Sequence, residues 1–249
     1  MKSSLRRTSV LGTAFIAMAV CLAGTQAHAQ APKPSFNCAK ASTADEKTIC
    51  ADARLAELDR AVSLAYARIP ANLREGAKGD AKELLATRAK CGDDRLCILE
   101  QQVGAIETFA GLGAPVRVPP WVGAYRLDLV KAKGLPPEPG IPTQVGHCTL
   151  TKITEITTRF GGKFPATRPP PGEGQGTVVT YENKLVGISY GYEEGVAQSR
   201  VGDEALVCLV SMPQNCPPGD DRGRMYSGTN LRNKSSWQLS DSQHMCGGA

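Results

Sequence analysis

Nine cysteines carry the most reactive chemistry in this chain of 249 residues. Cys21 stands near the start; Cys38, Cys50, Cys91 and Cys97 fall in the first half, and Cys148, Cys208, Cys216 and Cys246 in the second. Zinc sites favour closely paired C-x2–4-C spacings, and none occurs here. Disulfides are the expectation for these eight, since exported chains meet an oxidising compartment. Short loops close most easily, which favours Cys38–Cys50 and Cys91–Cys97. Cys38–Cys97 with Cys50–Cys91 stays open, and pairing in the second set is not readable from spacing.

Past residue 29, the histidines are His147 and His244. Ser242, His244 and Asp241 hold the residue types of a hydrolytic triad, but triads are built from separate segments rather than adjacent residues. H-E-x-x-H does not occur. No catalytic residue, metal ligand or cofactor is therefore expected, and no enzymatic activity. Asp220-Asp221 could hold a cation, but Pro217 to Gly223 is turn chemistry with Arg222 beside it. Asp93-Asp94 reads as the cap of a helix.

The N-terminus bears on where this chemistry operates. Lys2, Arg6 and Arg7 precede a short apolar stretch, Val10–Gly24, and Ala27-His28-Ala29 has the A-x-A form of a cleavage site. Residues 1–29 read as a signal peptide, so a periplasmic or secreted location is expected. The whole chain has 29 Lys+Arg against 24 Asp+Glu, a formal charge of +5. Losing three basic residues with the leader lowers it to +2 and leaves eight cysteines. No basic run suggests nucleic acid, and no apolar run reaches the roughly 18 residues of a membrane span. Oligomeric state is not readable.

The elements that must position these residues change along the chain. Residues 36–110 are rich in Ala, Leu, Glu, Lys and Arg, which favour helix. Thr43 and Glu46 form a capping box for a helix ending near Cys50. Asp52 caps a second helix, with Leu55, Leu58, Val62, Ala65 and Ile69 at helical spacing and Pro70 as its stop. Further helices are expected over about Lys78–Lys90 and Leu96–Phe109. Residues 111–120, with Gly113 and two adjacent prolines, read as a linker. Residues 121–249 favour strands: Gly123–Leu129, Cys148–Thr157, Thr177–Tyr181, Leu185–Tyr192, Ala205–Met212 and Ser236–Leu239, with a hairpin turn at Glu182-Asn183-Lys184. The expected fold is α+β, with a disulfide-stapled helical hairpin domain followed by a small antiparallel β sandwich or barrel.

Several residues of the first half fall into a pattern. Phe36-Asn37-Cys38, Glu46, Ile49-Cys50, Leu55-Ala56-Glu57-Leu58-Asp59, Tyr66, Arg88-Ala89-Lys90-Cys91 and Cys97 together resemble the N-terminal domain family of the lysozyme inhibitor LprI. The resemblance covers residues 36–109 and marks Phe36, Glu46, Ile49, Leu55, Leu58, Asp59, Tyr66 and Arg88 as framework residues. Leu84 stands where the family often has Trp, and Gln102 and Ala105 stand where Tyr and Arg usually follow the last cysteine. The resemblance implies a protein partner, lysozyme, blocked sterically and without a cofactor. A cell-envelope interaction module without inhibitory activity is the other expectation. Residues 30–114 balance 12 basic against 12 acidic side chains, so net charge would not steer such a partner.

Overall fold

The computed structural model describes residues 32–134, 137–170 and 173–248. The expected leader, residues 1–29 with Cys21, lies outside the described residues. A 3-10 turn at Cys38–Lys40 leads into helices α1 (Ala44–Ala51), α2 (Ala53–Ala67), α3 (Ala71–Arg74), α4 (Ala77–Ala89), α5 (Arg95–Gly111) and α6 (Val122–Ala132). Strands β1 (Cys148–Thr157), β2 (Thr177–Tyr181), β3 (Val186–Ser189), β4 (Glu204–Ser211), β5 (Met225–Asn230) and β6 (Ser236–Ser240) follow, with the one-turn helix α7 (Glu194–Ala197) between β3 and β4. The strands close an antiparallel barrel in the order β1-β2-β3-β6-β5-β4.

Local chemistry accounts for the helix starts. The Glu46 carboxylate accepts the backbone N–H groups of Ser42 and Thr43 at 2.8 and 3.2 Å, satisfying donors that the first turn leaves unpaired. Asp52 accepts from the N–H of Arg54 and Leu55, and Asp94 from those of Leu96 and Cys97.

Helices and barrel share a core. Ile49, Leu55, Leu58, Leu96, Leu99, Val103 and Ile106 pack in one cluster with Val122, Leu129 and Val130 of α6 and with Cys148, Leu206 and Cys208 of the barrel wall. Along β4, residues 205–210 are all buried. Successive strand residues face opposite sides: Ala205, Val207 and Leu209 fill the barrel, while Leu206 and Cys208 lie under the helices. The barrel interior is closed by Tyr181, Tyr226, Trp237 and Leu239, with the Trp237 Nε1–H donating to the Tyr181 hydroxyl at 2.9 Å.

From Pro32 onward the described residues form one compact unit, and residues of 36–110 and 121–249 meet in one core cluster. The expected linker, 111–120, is packed: Ala114 is buried with Ala65, Ile69 and Phe109, and Val116 and Val118 pack on the main cluster.

Three elements also differ from expectation. Gly123–Leu129 is not a strand but lies in α6, whose buried residues Val122, Gly123, Arg126, Leu129 and Val130 repeat at helical spacing. An arginine at the centre of the buried face masks that pattern. β3 ends at Ser189 rather than Tyr192, where the Ser189 hydroxyl turns to the Glu193 carboxylate at 2.7 Å. β5 was not expected at all; its Ser227, Gly228 and Asn230 are weak strand formers, yet they are buried.

The eight described cysteines form four disulfides: Cys38–Cys50, Cys91–Cys97, Cys148–Cys208 and Cys216–Cys246. In the first set the short loops are the ones closed. Cys148 and Cys208 are direct cross-strand partners on β1 and β4.

Candidate functional site

Two polar constructions hold the helical layer, and one of them borders a cavity. The first is the seam between layers. Arg126 has no exposed surface; its Nε and Nη2 donate to the two carboxylate oxygens of Glu100 at 2.5 and 3.0 Å. Its Nη1 donates to Thr229 Oγ1 at 2.8 Å and the Gly228 carbonyl at 3.2 Å. Glu100 also accepts from Ser227 Oγ and Gln238 Nε2. Every side-chain nitrogen and oxygen of this buried pair thus has a partner among α5, α6, β5 and β6, as a buried charge requires. Gly123 allows the approach of α6, since a Cβ there would stand 2.0 Å from the Lys234 carbonyl oxygen.

The second construction centres on Arg88 and Asp59, two residues of the resemblance. Arg88 on α4 donates Nε to Asp45 Oδ2 at 2.9 Å and Nη1 to Asp59 Oδ1 at 3.0 Å. Asp59 on α2 receives the backbone N–H and hydroxyl of Ser35 at 2.7 and 2.6 Å. Burial alone would raise the Asp45 carboxyl, but hydrogen bonds from Thr43 and Arg88 outweigh it and hold it below its ordinary value. This triad ties α1, α2 and α4 together.

Beside it, α2, α4 and α5 leave a groove of about 440 Å³, within the usual range of ligand sites. Its walls are mainly apolar: Val62 and Tyr66 from α2, Ala81, Leu84 and Leu85 from α4, Ala105 and Phe109 from α5. Tyr66 and Phe109 meet with ring centroids 5.5 Å apart. Asp59, Arg88, Lys78 and Lys82 also line it. Gln102 also lines the groove and is 1% exposed. Its Nε2 donates to the Leu55 carbonyl at 3.2 Å, while its Oε1 has no hydrogen-bond partner among the described residues.

The residues singled out from the sequence separate into two groups. Asp59, Tyr66 and Arg88 converge on this groove. Ile49, Leu55 and Leu58 are buried core, Phe36 packs partly buried against it, and Glu46 is a cap. The three departures from the pattern, Leu84, Gln102 and Ala105, all line the groove. Sequence reasoning did not assemble the cavity, because apolar residues at helical spacing read as core whether or not a neighbour fills them.

The other candidates lie elsewhere. His147 Nδ1 meets Glu138 Oε1 at 2.5 Å and lines a smaller cavity of about 250 Å³ with Asp94, Glu100 and Lys133. The Ser242 hydroxyl donates to the His244 backbone carbonyl, and Asp241 accepts the N–H groups of Gly223 and Arg224. These three form turn contacts, with no hydroxyl–imidazole–carboxylate relay. Asp220 is bidentate with Arg222, and Asp221 pairs with Arg224. Among the described residues no group of three or more His, Cys, Asp or Glu could hold a metal ion. No helix among them is long and apolar enough to cross a membrane.

The chemistry available in the groove is recognition: a concave apolar surface, one unmet acceptor and cations at its edge. No family model matches the chain, and no curated protein and no solved structure matches it.

Proposed function

We propose that this chain is an exported binding protein of the periplasm or the secreted space, whose partner is another protein. By its resemblance to the LprI-like family, that partner is lysozyme. One observation carries the reading: Asp59, Tyr66 and Arg88, which belong to the resembling pattern, surround a single groove on a helical layer. In this reading α4 and α5, joined through the Cys91–Cys97 turn, act as a hairpin presenting that surface. Leu85, 53% exposed at its edge, is a natural contact residue, and a surface held by disulfides and the Asp45–Arg88–Asp59 triad loses little entropy on binding. Inhibition would be steric occlusion of the enzyme's cleft, needing no cofactor. Export is supported by the four disulfides, which persist in oxidising compartments.

The test is lysis of a cell-wall suspension by lysozyme with increasing amounts of the purified chain, residues 30–249. Slowed lysis at excess protein is expected, and Leu85→Glu weakens it. Unchanged lysis at excess protein rejects lysozyme as the partner.

A second reading, an envelope interaction module without inhibitory activity, is favoured by a patch near the barrel. Phe160 is 73% and Tyr190 59% exposed, and the Arg159 guanidinium lies 3.8 Å from the Tyr190 ring centroid. Exposed aromatic and arginine side chains are enriched at interfaces. Under this reading Tyr190→Ala abolishes capture of an envelope partner while lysis stays unaffected.

A further inference from the structure

We propose that the groove between α2, α4 and α5 is a binding site for a small amphipathic molecule. Its apolar body would lie against Tyr66, Leu84 and Phe109, a hydrogen-bond donor would meet Gln102 Oε1, and an anionic end would sit at Lys82. Three independent observations lead there.

The first is the orphan acceptor. Gln102 is almost wholly buried, its amide orientation is set by the bond from Nε2 to the Leu55 carbonyl, and Oε1 is left without a donor. Buried polar atoms are normally satisfied, so each exception calls for a partner. An N–H or O–H on a ligand supplies one. The second is shape and lining. A concavity of about 440 Å³ walled by Val62, Ala81, Ala105 and aromatic faces takes a drug-sized apolar body. The third is charge at the edge. Asp59 is already engaged by Arg88 and Ser35, and Lys78 pairs with Glu75. Lys82 is exposed and has no ion-pair partner among the described residues. An anionic group outside the groove therefore meets an available cation, while the interior takes a neutral donor. This inference does not rest on lysozyme being the partner.

The probe is 1-anilinonaphthalene-8-sulfonate, which combines an apolar double ring, an N–H and a sulfonate. Titration of the folded chain followed by fluorescence should saturate at one molecule per chain. The N-methylated analogue lacks the N–H, and the wild-type chain should bind it about tenfold more weakly. Gln102→Leu should erase that preference, Lys82→Glu should weaken the probe about threefold, and Ala105→Phe, which fills the groove, should abolish binding. As a measurement needing no variant, amide and methyl NMR shifts on adding the probe should cluster at Val62, Tyr66, Ala81, Leu84, Ala105 and Phe109. Shifts centred on the Phe160–Tyr190 patch, non-saturating binding, or an N–H preference unchanged in Gln102→Leu would overturn the proposal. A chain that slows lysozyme but takes no probe would mean that the groove receives a protein segment. The small-molecule inference would then fail while the inhibitor reading stood.

Discussion

Replacing Arg126 by Met keeps the aliphatic stem against the core but removes the one cation that, among the described residues, bonds the Glu100 carboxylate. Glu100 would retain two neutral donors, Ser227 Oγ and Gln238 Nε2, and Thr229 Oγ1 and the Gly228 carbonyl would lose the Nη1 donor. A buried charge stripped of its partner costs about 3–5 kcal/mol. For a domain of this size that is a fall in Tm of roughly 6–20 °C. Because the pair also joins α5 and α6 to β5 and β6, the loss should appear in one transition, with helical and barrel signals still falling together. The assay is urea and thermal unfolding followed by far-UV circular dichroism and by fluorescence of Trp237, with Trp121→Phe as the background. The double variant Arg126→Met, Glu100→Gln leaves neither charge of the pair and should recover part of the loss, giving a coupling of about 2–3 kcal/mol in the cycle. A single variant within about 1 kcal/mol of wild type, or an additive cycle, would refute the account of the seam. A helical signal that melts ahead of the barrel would refute the single unit.

Other expectations follow from the same contacts. The Cys148–Cys208 bridge closes a sequence separation of 60 and Cys91–Cys97 one of 6. The chain-entropy relation then assigns about 4 and about 2 kcal/mol to them, so Cys148→Ala, Cys208→Ala should lower the urea midpoint clearly more than Cys91→Ala, Cys97→Ala; equal losses would contradict it. Burial, the neighbouring Glu193 carboxylate and Glu100 raise the Glu107 carboxyl well above its ordinary value, against the pull of Arg126. The folded state then holds that proton more tightly than the unfolded one, so stability falls as pH rises from the ordinary Glu value through the raised one. Glu107→Gln should therefore raise Tm at pH 8 and bring little gain at pH 4.5, and an equal shift at both pH values would count against the raised carboxyl.

How much of this was legible depends on what each buried face meets. α2 and α5 were readable because their buried sides meet other apolar helices: Leu55, Leu58, Leu99, Val103 and Ile106 keep a helical period in hydrophobic residues. β4 was readable for a related reason, since its two faces meet two apolar cores and the run Ala205–Val210 is continuous. α6 and β5 were not readable, and one cause serves both. They meet at the Glu100–Arg126 pair, so at that contact their buried side chains are Arg126, Ser227 and Thr229 rather than apolar ones. Reading burial from hydrophobicity fails where a charge is satisfied inside the protein, and here it failed on both sides of the same contact.

The groove marks a different limit. Its residue types were visible: Asp59, Tyr66 and Arg88 stood out, as did Leu84, Gln102 and Ala105. What one sequence cannot carry is the difference between an apolar side chain that touches a neighbour and one that borders a space. Ala105 and Leu84 satisfy the helical period equally well in either case, because period reports which way a side chain points and not what it reaches. Gln102 was the available signal. A glutamine between Leu99 and Ile106 on the buried side of α5 interrupts an apolar face, and burying an amide without a full set of partners is unfavourable. One of its two ends is met by Leu55 and the other by nothing among the described residues. A polar residue on an apolar helix face therefore has two physical explanations, a partner across the core or a ligand. Arg126 is the first kind, and Gln102, with one end unmet among the described residues, is proposed as the second. Only coordinates separate them, by showing whether every donor and acceptor of the intruding side chain is met.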